Sequence, residues 1–251
     1  MKSSEISIKT PAEIEIMRFG GKILADVLAE TSKLAKPGIS TKELDDFAEK
    51  FIRDRGAEPA FKGYRGFPAA LCTAINEVVV HGIPKKDEIL KEGDLLTLDC
   101  GVLYKGFYTD AARTIPIGQV DNQKQRLIKT ADMALEKAIS MIREGIHVGA
   151  LGRAIQDIIE RAGFKVIYDL TGHGLGRTLH EEPTILNYYD GKPGPMLKAG
   201  MTIAIEPIFS VSSSKIKTLS DHWTIVTTDG SCAIQVENTV LVTQNGCEVL
   251  T

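Results

Sequence analysis

Apolar residues recur at helical spacing from Ile16 through Phe19, Ile23 and Val27 to Leu34, and Thr10, Pro11 and Glu13 stand ahead of them as a capping box with proline in the first turn. That pattern predicts a long helix. A second stripe, Leu44, Phe47, Phe51 and Ile52, opens on the capping box Ser40 to Glu43 and stops at Gly56, which predicts a shorter helix ended by glycine. A third, long helix is predicted over 123–142. Runs of β-branched and aliphatic residues predict strands over 78–80, 95–99, 107–114, 202–208, 223–227 and 233–242.

The outline then repeats. A shift of 107 residues carries Gly38, Ile39, Leu44, Ile52 and Gly56 onto Gly145, Ile146, Leu151, Ile159 and Gly163, and carries Leu90-Lys91-Glu92-Gly93 onto Leu197-Lys198-Ala199-Gly200. One offset serving two separated blocks marks two related halves, about 10–120 and 121–245, of a single domain spanning 1–251. Helices and antiparallel strands fall in both halves, and no Ser/Gly-rich linker divides them. The expected fold is therefore α+β, two-lobed and pseudo-symmetric, with a cleft between the lobes.

Composition narrows the function. With 43% hydrophobic and 25% charged residues among 251, the chain is globular and not disordered. Thirty Lys and Arg against 33 Asp and Glu leave no electrostatic footprint for nucleic acid or an anionic membrane. Residues 1–10 hold no apolar run of signal-peptide length, and no 18-residue apolar stretch occurs anywhere. Cys72, Cys100, Cys232 and Cys247 lie far apart, without the spacing of a zinc-thiolate site or a disulfide scaffold, which suits a reducing cytoplasm.

Acidic residues in strand-like runs are the candidate chemistry. Asp99 and Asp110 flank a hairpin whose turn is expected between residues 104 and 105, so the two carboxylates should face each other across the ladder. Like charges there need a cation or a shared proton. The 107-residue offset maps Asp99 onto Glu206, inside the apolar run Ile203-Ala204-Ile205-Glu206-Pro207-Ile208, and Glu237 lies in a comparable run. Four acids at strand positions of a symmetric fold suggest convergence on the cleft. His173 sits among the glycines of Thr171-Gly172-His173-Gly174-Leu175-Gly176, which exclude a stable helix and allow close backbone approach. His180 follows seven residues later. His81 ends a strand at the turn Gly82-Ile83-Pro84, whereas His147 reads as an ordinary surface residue between two helices. The glycine run lacks the strand-to-helix context of a dinucleotide site, so nucleotide binding is rejected. Oxygen-rich ligation with few nitrogens and no thiolate suits Mn, Fe(II), Co or Zn in a dinuclear site.

These residues resemble type I methionine aminopeptidases, the pita-bread metallopeptidases built of duplicated halves. The resemblance runs from about Ser7 to the C-terminus, nearly the whole chain. It is carried by Lys62-Gly63-Tyr64-Arg65-Gly66-Phe67-Pro68, Ile75-Asn76-Glu77 leading to His81-Gly82-Ile83-Pro84, and the spacing of Asp99 and Asp110. Gly172 to Arg177 with His180-Glu181-Glu182-Pro183, Gly200-Met201 to Glu206-Pro207, and Gln235 to Thr239 complete it. The family's five metal ligands match Asp99, Asp110, His173, Glu206 and Glu237. The resemblance implies two divalent ions bridged by Asp110 and Glu237, and removal of the initiator methionine from nascent chains whose second residue is small. It further implies His180 as a donor to the developing oxyanion, His81 at the scissile amide nitrogen and Glu206 as proton relay. A methionine pocket of Tyr64, Phe67, Cys72, Leu179 and Trp223 follows, as do a monomer, a cytoplasmic location and an encounter with substrate at the ribosome. Two positions depart from the pattern: Leu179 stands where Phe is usual, and Arg65 where bacterial members often carry His.

Rival readings are weaker. Prolidases and aminopeptidases P carry an additional N-terminal domain, whereas about nine residues precede the first helix here. A type II methionine aminopeptidase needs a long helical insertion in the second half, and only 30 residues separate Glu206 from Glu237. An inactive pita-bread binding module would have lost ligands.

Overall fold

Residues 6–251 are described by a computed structural model, so residues 1–5 of the N-terminal stretch read above lie outside the described residues. Thr10 caps the first helix, α1 (Pro11–Leu34): its Oγ1 accepts the Glu13 N–H at 3.4 Å, and the Glu13 carboxylate accepts the Thr10 N–H at 2.8 Å. Ser40 and Glu43 make the same reciprocal pair for α2 (Thr41–Asp54). Asp121 caps α3 (Asn122–Met141), and α4 (Val148–Arg161) follows. Helix α1 buries Ile23 and Val27 but leaves Phe19 and Leu34 exposed; the Phe19 ring lies on Tyr104 at 4.7 Å instead of entering the core.

The strands are β1 (Glu58–Pro59), β2 (Leu71–Ile75), β3 (Val78–Val80), β4 (Leu95–Tyr104) and β5 (Phe107–Pro116) in the first half. The second half holds β6 (Lys165–Val166), β7 (Thr171–Gly174), β8 (Glu181–Leu186), β9 (Thr202–Ile205) and β10 (Ile208–Ser210). It continues with β11 (Ile216–Thr218), β12 (Ile225–Thr227), β13 (Ala233–Gln235), β14 (Asn238–Val242) and β15 (Cys247–Val249). Strand β4 pairs with β1, β2 and β5, and the largest second-half sheet runs β15-β14-β9-β7-β8. Two smaller sheets, β13-β10-β6 and β11-β12-β3, complete the set, the latter joining strands of both halves. The architecture is α+β with antiparallel ladders. The repeat is exact in backbone position: α2 and α4 start and stop 107 residues apart, β1 and β6 do likewise, and the bridge Ser40 to Ile89 recurs as His147 to Met196. The two largest of the apolar clusters surround Leu28, Leu44 and Leu98 in the first half and Leu135, Leu151 and Ile203 in the second.

Three strand expectations need correction. Lys105 and Gly106 both adopt left-handed backbone (φ 47 and 82), which makes a two-residue hairpin turn and sets Tyr104 opposite Phe107. The turn therefore lies one residue later than expected. Asp99 faces Ala112 and Asp110 faces Gly101, so the two aspartates are diagonal neighbours on one face, not direct opposites. The run 202–208 breaks at Glu206-Pro207 into β9 and β10, and 233–242 breaks at Val236-Glu237 into β13 and β14, the parts going to different sheets. Pro207 brings no N–H to a ladder, and at both breaks a carboxylate leaves the sheet.

Candidate metal centre

The halves meet edge to edge where β5 runs beside the segment from Glu237 into β14. Ala112 and Glu237 exchange backbone hydrogen bonds of 3.3 and 3.0 Å. Thr239 Oγ1 accepts the Asp110 N–H at 2.9 Å and donates to the Asp110 carbonyl at 2.7 Å. Farther into the second half, Thr239 faces Ala204, which faces His173. One row across the junction thus reads His173, Ala204, Thr239, Asp110. The neighbouring row reads Glu206, Glu237, Ala112, Asp99, because Asn238 faces Ile205 and the Val236 N–H reaches the Pro207 carbonyl at 3.4 Å. Strand alternation places all five donor side chains on one face, and the small residues between them keep that face open.

None of the five donors is more than 9% exposed. Removal from water raises the Asp99 carboxyl to about 7. Burial first, and neighbouring carboxylates second, push Asp110, Glu206 and Glu237 well above the ordinary range. One oxygen on each of Asp99, Asp110 and Glu237 is buried with no hydrogen-bond partner. His173 contacts the Gly174 carbonyl through Nδ1 at 2.8 Å. A carbonyl can only accept, so Nδ1 carries the proton and the Nε2 lone pair faces Glu206 Oε1 at 3.7 Å and Asp110 Oδ2 at 4.0 Å. Burial also holds His173 below its usual pKa, which keeps it neutral and ligand-competent. Asp110, His173 and Glu237 each offer one atom within 4.8 Å of the others. Orphaned carboxylate oxygens, an imidazole in ligand tautomer and the absence of thiolate together fit hard-to-intermediate divalent cations.

A raised carboxyl pKa has a defined sign in stability. Without metal, folded Asp99 keeps a proton that the unfolded chain releases above its ordinary pKa of 3.8, so this group destabilises the fold progressively as pH climbs to about 7. Metal-free Asp99→Asn should match the native chain in stability below about pH 4 and surpass it increasingly up to about pH 7. Denaturant midpoints in chelator measure the gap, and a gap that stays constant with pH contradicts the assignment.

A cleft of about 420 Å³ opens from the acids toward an apolar end. Phe67, Cys72 and Leu179 are buried there, with Tyr64 and Trp223 packed against them and the Phe67 and Trp223 rings edge-on at 5.1 Å. The Tyr64 hydroxyl meets His180 Nδ1 at 2.9 Å, and the His180 ring lies 4.3 Å from that of His173. Burial, aided by the neighbouring His173, lowers the His180 pKa to about 4, so its imidazole is neutral at pH 7. His81 also lines the cleft, with left-handed backbone (φ 58), a costly conformation for a side chain of its size and one that clusters at functional positions. Arg65, also left-handed (φ 48), lines the cleft with its guanidinium 5.4 Å from the Tyr64 ring centre. His147 stands apart at the N-cap of α4, bonded to the Gly194 carbonyl at 2.8 Å.

The structure adds residues that sequence reasoning missed. Phe61, Val80 and Ile208 line the cleft, but as apolar residues in apolar segments they carried no distinguishing signal. Gln235 approaches Glu206 Oε2 through Nε2 at 3.4 Å, and Asn187 Nδ2 donates to the Glu206 carbonyl at 2.9 Å. The glycines around His173 serve close approach: a β-carbon on Gly172 would lie 2.4 Å from the Ala204 carbonyl, and one on Gly174 2.2 Å from that of Glu182.

The sequence profile of metallopeptidase family M24 matches residues 15–244. A methionine aminopeptidase of Clostridium acetobutylicum is 45% identical over 98% of this chain and 98% of its own length, and methionine aminopeptidase 1 of Bacillus subtilis is 42% identical over 98% and 99%. The crystal structure of a Thermotoga maritima methionine aminopeptidase superposes with a TM-score of 0.96 at 44% identity, covering 98% of this chain and 99% of that one. A prolidase from Pyrococcus furiosus reaches 0.80 at 26% identity, and this chain spans 65% of it.

Proposed function

The chain belongs to metallopeptidase family M24, and from that premise we infer that it is a metal-dependent hydrolase removing the N-terminal methionine of polypeptides, those with a small second residue foremost. The observation that carries the reading is the apolar pocket of Phe67, Cys72, Leu179, Tyr64 and Trp223 opening directly onto the buried acids. A thioether side chain fills such a pocket well. A proline-directed peptidase is disfavoured by the lower likeness to prolidases, and an inactive module by the presence of all five donors.

Asp99, Asp110, His173, Glu206 and Glu237 would hold two divalent ions, Co, Mn, Fe or Zn. Bound there, divalent metal supplies Lewis acidity that makes a water nucleophilic at neutral pH and polarises the scissile carbonyl. The remaining work falls to side chains. Glu206 accepts a proton from the attacking water and passes it toward the departing amine. With the Tyr64 hydroxyl, 2.9 Å from His180 Nδ1, acting as donor, the neutral ring would carry its proton on Nε2 and present it to the oxygen on which negative charge develops. His81 contacts the scissile amide nitrogen.

The protein is proposed to act as a monomer in the cytoplasm, on nascent chains as they leave the ribosome. All four cysteines are free, as a reducing compartment allows, and no helix among the described residues is long and apolar enough to cross a membrane. Hydrolysis of Met-Ala-Ser, Leu-Ala-Ser and Ala-Pro peptides, with Mn, Co, Fe or Zn supplied separately, tests the reading. Met-Ala-Ser should exceed both others by at least about 10-fold, as a pocket matched to one side chain affords. Equal or faster cleavage of the Ala-Pro peptide would overturn it.

A further inference from the structure

Lys9 precedes α1 and is only 5% exposed. Its Nζ donates to Glu181 Oε2 at 2.9 Å, the two side chains being 2% and 13% exposed. Withdrawing an ammonium this far from water is costly, and nothing in the reaction above uses it. What it holds is the loop 175–180 between β7 and β8. The second oxygen of Glu181 accepts the Thr178 N–H at 3.0 Å, Thr178 Oγ1 donates to the His180 carbonyl at 3.0 Å, and the Gly176 N–H reaches the Thr178 carbonyl at 3.1 Å. The lysine stem crosses Gly176 so closely that a β-carbon there would lie 2.3 Å from Lys9 Cε. Lys9 is itself anchored through its N–H to the Gly200 carbonyl at 2.8 Å. The N-terminal segment is therefore a fixed base for the loop that ends in His180.

From this geometry we propose that Lys9 is a positioning residue: by fixing the Glu181 carboxylate it sets the loop so that His180 stays on the Tyr64 hydroxyl with Nε2 toward the scissile carbonyl. The inference rests on the role given to His180 above. Loss of the lysine leaves a largely buried carboxylate without its cation at the root of the loop, and an ångström of drift at a catalytic donor costs rate more than binding.

The test is a double-mutant cycle on the metal-loaded enzyme with Met-Ala-Ser. His180→Ala should lower kcat about 10²-fold. Lys9→Met should lower kcat about 10-fold or more with KM changed by less than about 3-fold. In the His180→Ala background Lys9→Met should cost nothing further, and Lys9→Arg should retain most of the native turnover. An equal loss with and without His180, or no rescue by arginine, overturns the proposal as a general packing effect. If Lys9→Met does not fold, Glu181→Gln, which ends the ion pair but keeps an acceptor for Thr178, enters the same cycle with the same criteria. Normal turnover in His180→Ala removes the role of His180 and this inference with it, whereas failure of every methionyl peptide speaks against the proposed activity.

Discussion

Glu206→Gln should lower kcat for Met-Ala-Ser by about 10³-fold or more, in the upper part of the range for loss of a proton-transferring side chain. The amide has the shape of the carboxylate, so the cleft keeps its volume, and the substituted side chain can still accept from Gln235 Nε2, which lies 3.4 Å from Glu206 Oε2 in the native chain. What is lost is an anion able to bind a cation and to take a proton. The same substitution removes one of four mutually repelling buried carboxylates, whose pKa is raised by burial and then by Asp110 and Asp99. Metal-free Glu206→Gln should accordingly unfold no earlier than the metal-free native chain at pH 8, as calorimetry would show. Turnover within about 10-fold of native would remove Glu206 from the chemistry, and a marked loss of metal-free stability would mean that its charge is compensated by something other than metal.

Exhaustive chelation should abolish hydrolysis, and added divalent cation should restore it. The reason lies in the fold and not only in family membership. Asp99, Asp110 and Glu237 each bury an oxygen without a partner, and the nearby guanidinium of Arg113 is spent on the backbone carbonyls of Ala112, Glu237 and Thr251. With no Lys or Arg among the described residues paired to the donor atoms, a bound ion is the natural compensation, and its binding to the folded form alone should raise the thermal midpoint. That rise should be larger at pH 8 than at pH 5, since burial holds part of the Asp99 population protonated up to about 7. Activity that persists after complete metal removal, or a midpoint indifferent to added metal, would defeat the scheme.

How much of this was legible in the chain varies by element. The capping boxes at Thr10 and Ser40 marked helix starts to the residue, because a cap is a contact between neighbours three apart. The hairpin turn was misplaced by one residue: Lys105-Gly106 wins because both can take left-handed backbone, and Asp99 consequently faces Ala112. The runs through Glu206 and Glu237 read as unbroken strands, since their apolar pattern carries on past the point where the chain changes sheets. Lys9 gave no signal at all, for its partner Glu181 lies 172 residues away.

By itself, then, the sequence determined what is local or periodic: the capped helices, the 107-residue repeat and the four acids in strand-like runs, a placement that already demanded compensation. The tertiary structure decided what depends on pairing between distant strands. It set the diagonal placement of Asp99 and Asp110, the Thr239 clamp that welds the two halves, the neighbouring of Glu206 and Glu237, and the seat of His180 on a loop held from the N-terminal segment. Short-range periodicity records which face of an element is buried, whereas register between elements is settled only when turn geometry, proline breaks and side-chain clamps are satisfied together.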